Sequence, residues 1–312
     1  MRRPKLVVSK CLGFENCRYN GQGSSSKLID LLGEHVDFYT VCPEVEIGLS
    51  TPREAIRVVD YDNDKRLIQP KTNTDFTENM KKFSKNYITS LEDVDGFILK
   101  SKSPSCGIKD VKIYHKSGRS SLTSGGNGFF AQEVIDTKGH LPIENEGRLK
   151  NYSIRDEFLT KIFMINDFKN SNEDIKKFHN KHELILRSYS INNYCKLNEI
   201  CNNKNISKDH VNEYSNALYN TLKFNRNCRK NIQVLIDIYN KYEKNLSMKE
   251  KEVFVDNIMK YSKGKLPLSS LLTNIKLYAA RFEDDYTLSQ SIFNPYPETL
   301  IDISDSGKGR SL

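Results

Sequence analysis

The first half of the chain alternates short apolar runs with polar segments, a pattern that indicates an α/β domain. Three runs rich in β-branched and aromatic residues predict buried parallel strands, at residues 6–9, 36–41 and 96–100. Two intervening segments predict helices, at residues 24–32 and 77–91. A further strand and a further helix are expected at residues 110–115 and 128–135. Alternation of strands with helices predicts a parallel, Rossmann-like sheet flanked by helices.

From residue 153 onward the pattern becomes helical, almost without strand signals. Three segments place their apolar residues on one helix face, at residues 210–224, 231–242 and 268–278. Such stripes favour the core of a helix bundle over a cofactor-binding motif. We therefore predict an α/β domain over residues 1–165 and an all-α domain over residues 166–312.

The net charge of +8 on the 312 residues is concentrated in the helical half. Residues 169–281 contain 21 Lys and Arg against 11 Asp and Glu, a balance of +10, which leaves −2 for the remainder. A basic helical domain suits a polyanionic partner, and a solvated lysine surface is the alternative interpretation.

The N-terminal segment and the cysteine content bear on the compartment. The apolar stretch near the N-terminus is only Leu6-Val7-Val8, too short for a signal-peptide core. No apolar run reaches the roughly 18 residues of a membrane span. We therefore expect a cytoplasmic protein, in which seven cysteines indicate metal ligation or reactivity rather than disulfides.

Three cysteines follow the three predicted strands. Cys11 and Cys42 come directly after the first and second strands, and Cys106 lies in the loop after the third. The carboxyl ends of parallel strands share one edge of the sheet, where such folds bind ligands. Three thiolates without paired CxxC spacing suit a cluster or catalytic metal with an open coordination position, although inert buried thiols are an alternative.

The residues around these cysteines are those of a reactive site. Glu44 stands two residues after Cys42, and Ser103, Ser105 and a glycine surround Cys106. Small residues let the backbone and a substrate approach a metal centre closely. Arg18 and Tyr19 follow Cys11 on a loop and could contact an anionic or aromatic ligand.

These motifs resemble the TudS-type thiouracil desulfidases over about residues 4–165. The matching segments are Ser9-Lys10-Cys11-Leu12, Arg18-Tyr19-Asn20-Gly21, Cys42-Pro43-Glu44, Gly48-Leu49, Pro52-Arg53, residues 100–107 and residues 142–149. Residues 178–182 and Asn294-Pro295-Tyr296-Pro297 resemble the helical domain of two-domain, RudS-type desulfidases, which act on 4-thiouridine in tRNA. Two positions depart from the family pattern: Lys10 replaces a small residue, and Cys17 competes with the other cysteines in the ligand assignment.

The resemblance implies a 4Fe-4S cluster held by Cys11, Cys42 and Cys106, with its fourth iron open to the substrate. It implies Glu44 as the acid/base group and Ser103 as a polar catalytic residue, with Ser101 and Ser105 as competitors for that role. The candidate substrate-binding residues are Arg18, Tyr19, Ser101 and Ser105.

The function implied is non-redox desulfuration of 4-thiouridine in tRNA, with release of sulfide. The alternatives are a desulfidase for free thiouracil or its nucleoside, a three-cysteine zinc hydrolase, and a non-catalytic RNA-binding metalloprotein. The densest basic clusters of the helical half supply the candidate RNA contacts: Lys176, Lys177, Arg226, Arg229 and Lys230.

His179 and His182 stand three residues apart and have two interpretations. They could share a helix face toward phosphate or metal, or pack inside the helical domain. Histidines in this pattern are more often packing or surface residues. The cysteines of the helical half, Cys195, Cys201 and Cys228, show no ligand spacing.

Overall fold

The computed structural model describes residues 2–62, 64–116, 121–171, 174–302 and 304. The chain divides into two compact units. The first comprises the chain up to Asn166 and the segment from Pro297 onward, and the second is Asp167–Tyr296. The sequence-based boundaries differ in that they assigned the segment from Pro297 onward to the helical domain.

The strands belong to the first unit and form two sheets. In chain order they are β1 (Lys5–Ser9), β2 (Asp37–Val41), β3 (Arg57–Tyr61), β4 (Asp64–Gln69), β5 (Thr74–Asp75), β6 (Gly96–Leu99), β7 (Val111–His115), β8 (Ser121–Gly126) and β9 (Ile143–Asn145). The first sheet has the order β2-β1-β6-β9 with every pair parallel. The second has the order β5-β4-β3-β7-β8, in which β3 and β7 are parallel and the other pairs antiparallel.

Burial explains why the first sheet was predictable from the sequence. The apolar residues of β1 and β6 are completely buried, among them Leu6, Val8, Phe97 and Ile98. Central parallel strands are covered on both faces and therefore read as continuous apolar runs. The expected parallel sheet with flanking helices is confirmed.

The helices follow the predicted periodicity. In chain order they are α1 (Lys27–Leu32), α2 (Pro43–Glu46), α3 (Thr77–Ser90), α4 (Phe129–Lys138), α5 (Tyr152–Asn170), α6 (Ile175–Tyr189), α7 (Ile191–Cys201), α8 (Lys208–Leu222), α9 (Cys228–Tyr242), α10 (Met248–Ser262), α11 (Leu268–Arg281) and α12 (Asp285–Leu288). The predicted all-helical second half is thus confirmed. None of the described helices is both long and apolar enough to cross a membrane.

The two histidines of α6 lie inside the second unit, where both are buried. Nε2 of His182 donates to Oδ2 of Asp167 at 2.6 Å, and Nδ1 accepts from the Ser291 hydroxyl at 2.8 Å. Nδ1 of His179 lies 3.0 Å from the Tyr214 hydroxyl. Burial lowers the pKa of both imidazoles. Their position in the helical core favours packing over contact with phosphate or metal.

Replacing Asp167 by alanine is expected to destabilise the chain by about 1–3 kcal/mol. The change leaves the buried Nε2–H of His182 without its acceptor, and an unsatisfied buried donor costs about that much. The exposed Glu213→Ala in α8 is the control and should change the free energy of unfolding by less than about 0.5 kcal/mol. Urea denaturation measures both, and equal effects would contradict this role.

The stabilisation by Asp167 should also depend on pH. Burial alone would raise the pKa of this carboxyl, but hydrogen bonds from His182 and Lys181 outweigh it and lower the pKa to about 2. A carboxyl whose pKa is lower in the folded chain stabilises fully above its unfolded pKa of 3.8 and loses that effect toward pH 2.

Candidate active site

A cavity of about 850 Å³ lies at the carboxyl edge of the first sheet. The residues that follow β1, β2 and β6 form one wall, and residues of β3 and β7 form another. The sheet brings three sequence-distant loops together here, because the carboxyl ends of its parallel strands share one edge. The predicted ligand crevice therefore contains a cavity large enough for a nucleotide-sized ligand.

The three candidate ligand cysteines all line this cavity. Cys11 lies two residues after β1, Cys42 directly follows β2 and precedes α2, and Cys106 lies in the loop after β6. All three are buried, with exposed fractions of 7, 8 and 4%. Burial, followed by the neighbouring Cys42, raises the pKa of the Cys11 thiol to about 11. Burial also raises the pKa of Cys106 well above its ordinary value, although a hydrogen bond with Ser9 opposes this.

The three thiols are donors of the type that hold iron–sulfur clusters. In the ranges that the structure describes, no three His, Cys, Asp or Glu side chains are grouped closely enough to hold one metal ion. In a 4Fe-4S cluster each cysteine binds a different iron, so the sulfurs stand apart around a shared centre. Three buried thiols around one cavity could hold such a group.

Cys17 is a fourth thiol of the same cavity, and it is only 1% exposed. The Cys17 thiol is hydrogen-bonded to the Cys42 thiol. Sγ of Cys42 also donates to the backbone carbonyl oxygen of Cys17 at 3.8 Å. Burial, followed by the neighbouring Cys42, raises the pKa of Cys17 to about 12. Cys17 therefore lies close enough to Cys42 to compete with it as a ligand, as the sequence indicated.

Glu44 lies in the first turn of α2 and is 9% exposed. Its Oε1 accepts a hydrogen bond from the Ser105 hydroxyl at 3.0 Å and a longer one from Ser103 at 3.4 Å. Its Oε2 accepts from Nε and Nη2 of Arg53 at 3.0 and 2.5 Å. The carboxylate is thus held at the cavity wall beside Cys42.

The three serines of the Cys106 loop have different environments. Oγ of Ser103 accepts the backbone N–H groups of Ser105 and Cys106 at 3.2 and 3.1 Å, so this side chain also shapes the loop. Ser105 is fully buried and donates the shorter bond to Glu44. Ser101 instead donates to Glu146 at 2.7 Å. Ser103 and Ser105 therefore face the candidate acid/base group, whereas Ser101 does not contact it.

A glycine allows this loop to pack closely against α4. A Cβ added to Gly128 would meet the carbonyl carbon of Ser105 at 2.4 Å, a distance that real Cβ atoms do not show. The backbone N–H of Ala131 then donates to the Ser105 carbonyl at 3.0 Å. The first turn of α4 thereby fixes the segment that carries Cys106 and the two serines.

A second ion pair lies near Cys11. Lys100 pairs with Glu146, which also accepts the backbone N–H of Ser101 at 2.7 Å. The Lys100 backbone N–H donates to Oγ of Ser9 at 2.9 Å, the serine that contacts Cys106. The positive charge of Lys100 acts to lower the pKa of Cys11. The Lys100 cation thus favours the thiolate that a metal centre requires, whereas the Glu146 carboxylate acts to raise the pKa of Cys11.

The predicted substrate-binding residues Arg18 and Tyr19 line the cavity, and Tyr19 is 48% exposed. Other basic and aromatic residues of the wall were not predicted from the sequence: Arg53, Arg57, Lys100, Lys102, Lys112 and Tyr114. The Arg57 guanidinium lies over the Tyr114 ring, 4.6 Å from its centre. Among these, Arg53, Lys100 and Lys102 had a sequence signal, since they belong to the Pro52-Arg53 motif and to the matching segment at residues 100–107.

The predicted RNA contacts all lie in the second unit. Lys177 and Arg229 are exposed and make no ion pair with a described residue. The other three have internal contacts. Lys176 donates to the Asn203 carbonyl, Lys230 to the Tyr189 carbonyl, and the Arg226 guanidinium lies 5.8 Å from the centre of the Tyr189 ring.

The net positive charge of the second unit is lower than the balance of +10 counted for residues 169–281. Asp167–Tyr296 contains 21 Lys and Arg against 15 Asp and Glu, a balance of +6. The difference from +10 comes from Asp167, Glu283, Asp284 and Asp285, which lie outside residues 169–281. The unit nevertheless remains basic.

Known proteins resemble both halves of the chain. The model of the 2-thiouracil desulfurase family matches residues 6–146, and that of a protein family of unknown function, DUF1722, matches residues 183–297. The uncharacterized protein YbbK of Bacillus subtilis (strain 168) is 33% identical over 109 residues, which cover 33% of this chain and 72% of YbbK. A solved structure of the 4Fe-4S-dependent thiouracil desulfidase TudS is 26% identical, with a TM-score of 0.39, over 47% of this chain and 93% of that one.

The likeness to YbbK extends over most of that protein, and the desulfurase model spans the segment that carries all three candidate ligands and Glu44. On these grounds the chain belongs to the 2-thiouracil desulfurase family and carries, in addition, a helical region of the DUF1722 type.

Proposed function

We propose that this chain is a cytoplasmic 4Fe-4S-dependent desulfidase that converts 4-thiouridine in tRNA to uridine and releases sulfide. The observation that carries the proposal is the convergence of Cys11, Cys42, Cys106 and Glu44 on one cavity in a member of the 2-thiouracil desulfurase family. A structural metal site has no need of a buried carboxylate beside its ligands. This arrangement therefore favours catalysis over a purely structural centre.

The reaction exchanges sulfur for oxygen without a change of oxidation state. Water adds to the ring carbon, the carbon–sulfur bond breaks, and the two hydrogens of water end on the released sulfide. When bound to the three cysteines, the cluster would supply a Lewis-acidic iron for the substrate sulfur.

The residues of the chain handle the proton and exclude water. Oε1 of Glu44 can take a proton from a water molecule in the cavity, as a general base does. The Ser105 hydroxyl, 3.0 Å away, holds that oxygen in place. Cys11, Cys42, Cys106 and Glu44 are each less than 10% exposed, which limits the access of bulk water to the reacting carbon.

The charges of the cavity support a phosphate-bearing substrate. Arg18, Arg57, Lys102 and Lys112 line it and make no ion pair with any described residue. A neutral free base needs no such cations, whereas a nucleotide in a polynucleotide carries phosphates that they attract. Enzymes that act on a base within folded RNA must unstack it into a pocket, and contacts to the backbone supply the binding free energy.

The substrate is tested by comparing three thiolated compounds with anaerobically prepared protein: tRNA that contains 4-thiouridine, free 4-thiouridine and free 2-thiouracil. We expect the highest kcat/KM with tRNA. The family description favours 2-thiouracil as the second candidate, and faster turnover of that base would replace tRNA by the free base as the substrate. Binding of tRNA without sulfide release from any of the three would indicate a non-catalytic RNA-binding protein.

Replacing Lys177 and Arg229 together by glutamine is expected to weaken tRNA binding. If both side chains contact phosphates, the slope of log K against log salt concentration should become shallower by about 0.7–0.9 for each lost contact. Binding measured at several salt concentrations tests this. These two positions are preferred to Lys176, Arg226 and Lys230, because the latter also hold internal contacts.

The matched control removes two positive charges from the first unit. Lys71 and Lys81 lie on the surface, where they pair with Glu54 and Glu78, respectively. Their replacement by glutamine lowers the net charge by the same amount as the Lys177/Arg229 variant does. If the control and the Lys177/Arg229 variant show the same salt slope, the basic clusters of the helical unit are a solvated surface. Turnover of free 4-thiouridine, where it occurs, should survive both changes.

A further inference from the structure

The Arg53 side chain is 4% exposed, and its guanidinium donates hydrogen bonds to four residues. Nε and Nη2 donate to Oε2 of Glu44 at 3.0 and 2.5 Å. Nη1 donates to the carbonyl oxygens of Cys17 and Ser50 at 3.0 and 3.2 Å and to Oγ1 of Thr51 at 3.2 Å. Arg53 therefore ties α2 to the loop after β1 and to the turn that precedes β3.

The two oxygens of Glu44 consequently have different surroundings. Oε2 receives two charge-assisted bonds from Arg53, whereas Oε1 receives the hydroxyls of Ser105 at 3.0 Å and Ser103 at 3.4 Å. A carboxylate has about four acceptor positions, so all of them are used. The longest bond is that of Ser103, which lines the cavity together with Glu44. The position nearest to Ser103 is the one that a water molecule can take most easily.

We propose that Arg53 is a positioning residue that occupies Oε2 of Glu44 and thereby presents Oε1 to the cavity as the proton acceptor. This rests on the proposed desulfuration, in which Glu44 activates water. Only a planar guanidinium can donate two bonds to one carboxylate and a third to the Cys17 carbonyl on its far side. A lysine ammonium keeps the charge but has no such fork, so it holds the carboxylate in a less defined orientation.

The test is a double-mutant cycle of the wild type, Arg53→Lys, Glu44→Gln and the double variant, assayed on tRNA that contains 4-thiouridine. Arg53→Lys is expected to keep its iron and sulfide content and its KM, while kcat falls by about 10- to 100-fold, as misplacing a reacting group does. In the Glu44→Gln background the same change should cost nothing further, because Arg53 acts through Glu44.

The control is Arg66→Lys, which changes a surface arginine of β4 whose side chain is 48% exposed and pairs with Asp64. Its kcat should equal that of the wild type. An undiminished kcat in Arg53→Lys, an equal fall of kcat in both backgrounds, or loss of iron would overturn the proposal. Loss of iron would assign Arg53 to holding the cysteine loops instead.

A second cycle, on thermal unfolding midpoints of the same four proteins, does not depend on turnover. The double variant should be no less stable than the less stable of the two single variants, because both single changes weaken the same Arg53–Glu44 ion pair. If the wild type releases no sulfide, the proposed function fails, and this second cycle still decides whether Arg53 holds Glu44. Strictly additive midpoints would overturn the pairing itself.

Discussion

Replacing Cys42 by alanine is expected to reduce bound iron from about four atoms per chain to nearly none. Cys42 lines the cavity, as Cys11 and Cys106 do, and supplies one of the three thiols that could hold the cluster. With one thiolate removed, the remaining cysteines leave two irons open, and such a centre is not retained. Iron and acid-labile sulfide are measured after anaerobic reconstitution, with circular dichroism to verify that the variant is folded. Cys11→Ala and Cys106→Ala should behave in the same way.

The helical unit provides the controls for this result. Cys195 is exposed and Cys228 is partly exposed, and both lie outside the first unit. Replacing either by alanine should leave the iron content unchanged. Cys17→Ala tests whether Cys17 is a ligand, because this variant should keep its iron if Cys17 does not bind the cluster. Full iron loading in a folded Cys11, Cys42 or Cys106 variant would remove that residue from the ligand set.

Replacing Glu44 by glutamine is expected to lower kcat by about 100-fold or more while the iron content persists. Glutamine has the same shape and can still accept from Arg53 and Ser105, but its amide cannot take a proton at neutral pH. Turnover of thiolated tRNA and the visible absorbance of the cluster measure the two properties separately.

Two variants place this effect in context. Ser105→Ala removes the shorter hydroxyl contact to Oε1 and should lower kcat less than Glu44→Gln does, because it leaves the base in place. Glu46→Gln, two residues farther along α2, changes the same charge and should leave kcat unaltered. Unchanged turnover in Glu44→Gln would show that another group activates the water.

The sequence predicted β1, β2 and β6 of the first sheet, although not β9, and it predicted the meeting of the cysteines for the same physical reason. Buried parallel strands are continuous apolar runs, and their carboxyl ends share an edge, so Cys11, Cys42 and Cys106 had to converge. The second sheet carried such a signal only in β7, a strand that was expected at residues 110–115. Its strands β3 and β4 carry only Val58-Val59 and Leu67-Ile68 between charged residues, and periodicity alone does not distinguish them from loops.

The side-chain pairing at the site was less predictable. Ser101, Ser103 and Ser105 alternate in one loop, and only the folded loop determines which hydroxyls reach Glu44. Arg53 lies nine residues after Glu44, and their contact requires the chain to turn back after α2. Such contacts depend on tertiary geometry rather than on a repeating pattern, so the arginine could not be assigned to the carboxylate in advance.

The most direct measurement of the central claim follows the oxygen that replaces sulfur. Anaerobically prepared, iron-loaded protein is incubated with 4-thiouridine-containing tRNA in water enriched in ¹⁸O, without an electron donor. Nucleosides are then analysed by mass spectrometry and sulfide is quantified. Non-redox desulfuration predicts uridine with one ¹⁸O atom in place of sulfur and one sulfide for each uridine formed. Retention of 4-thiouridine by fully loaded protein, or uridine formed without ¹⁸O, would contradict this account.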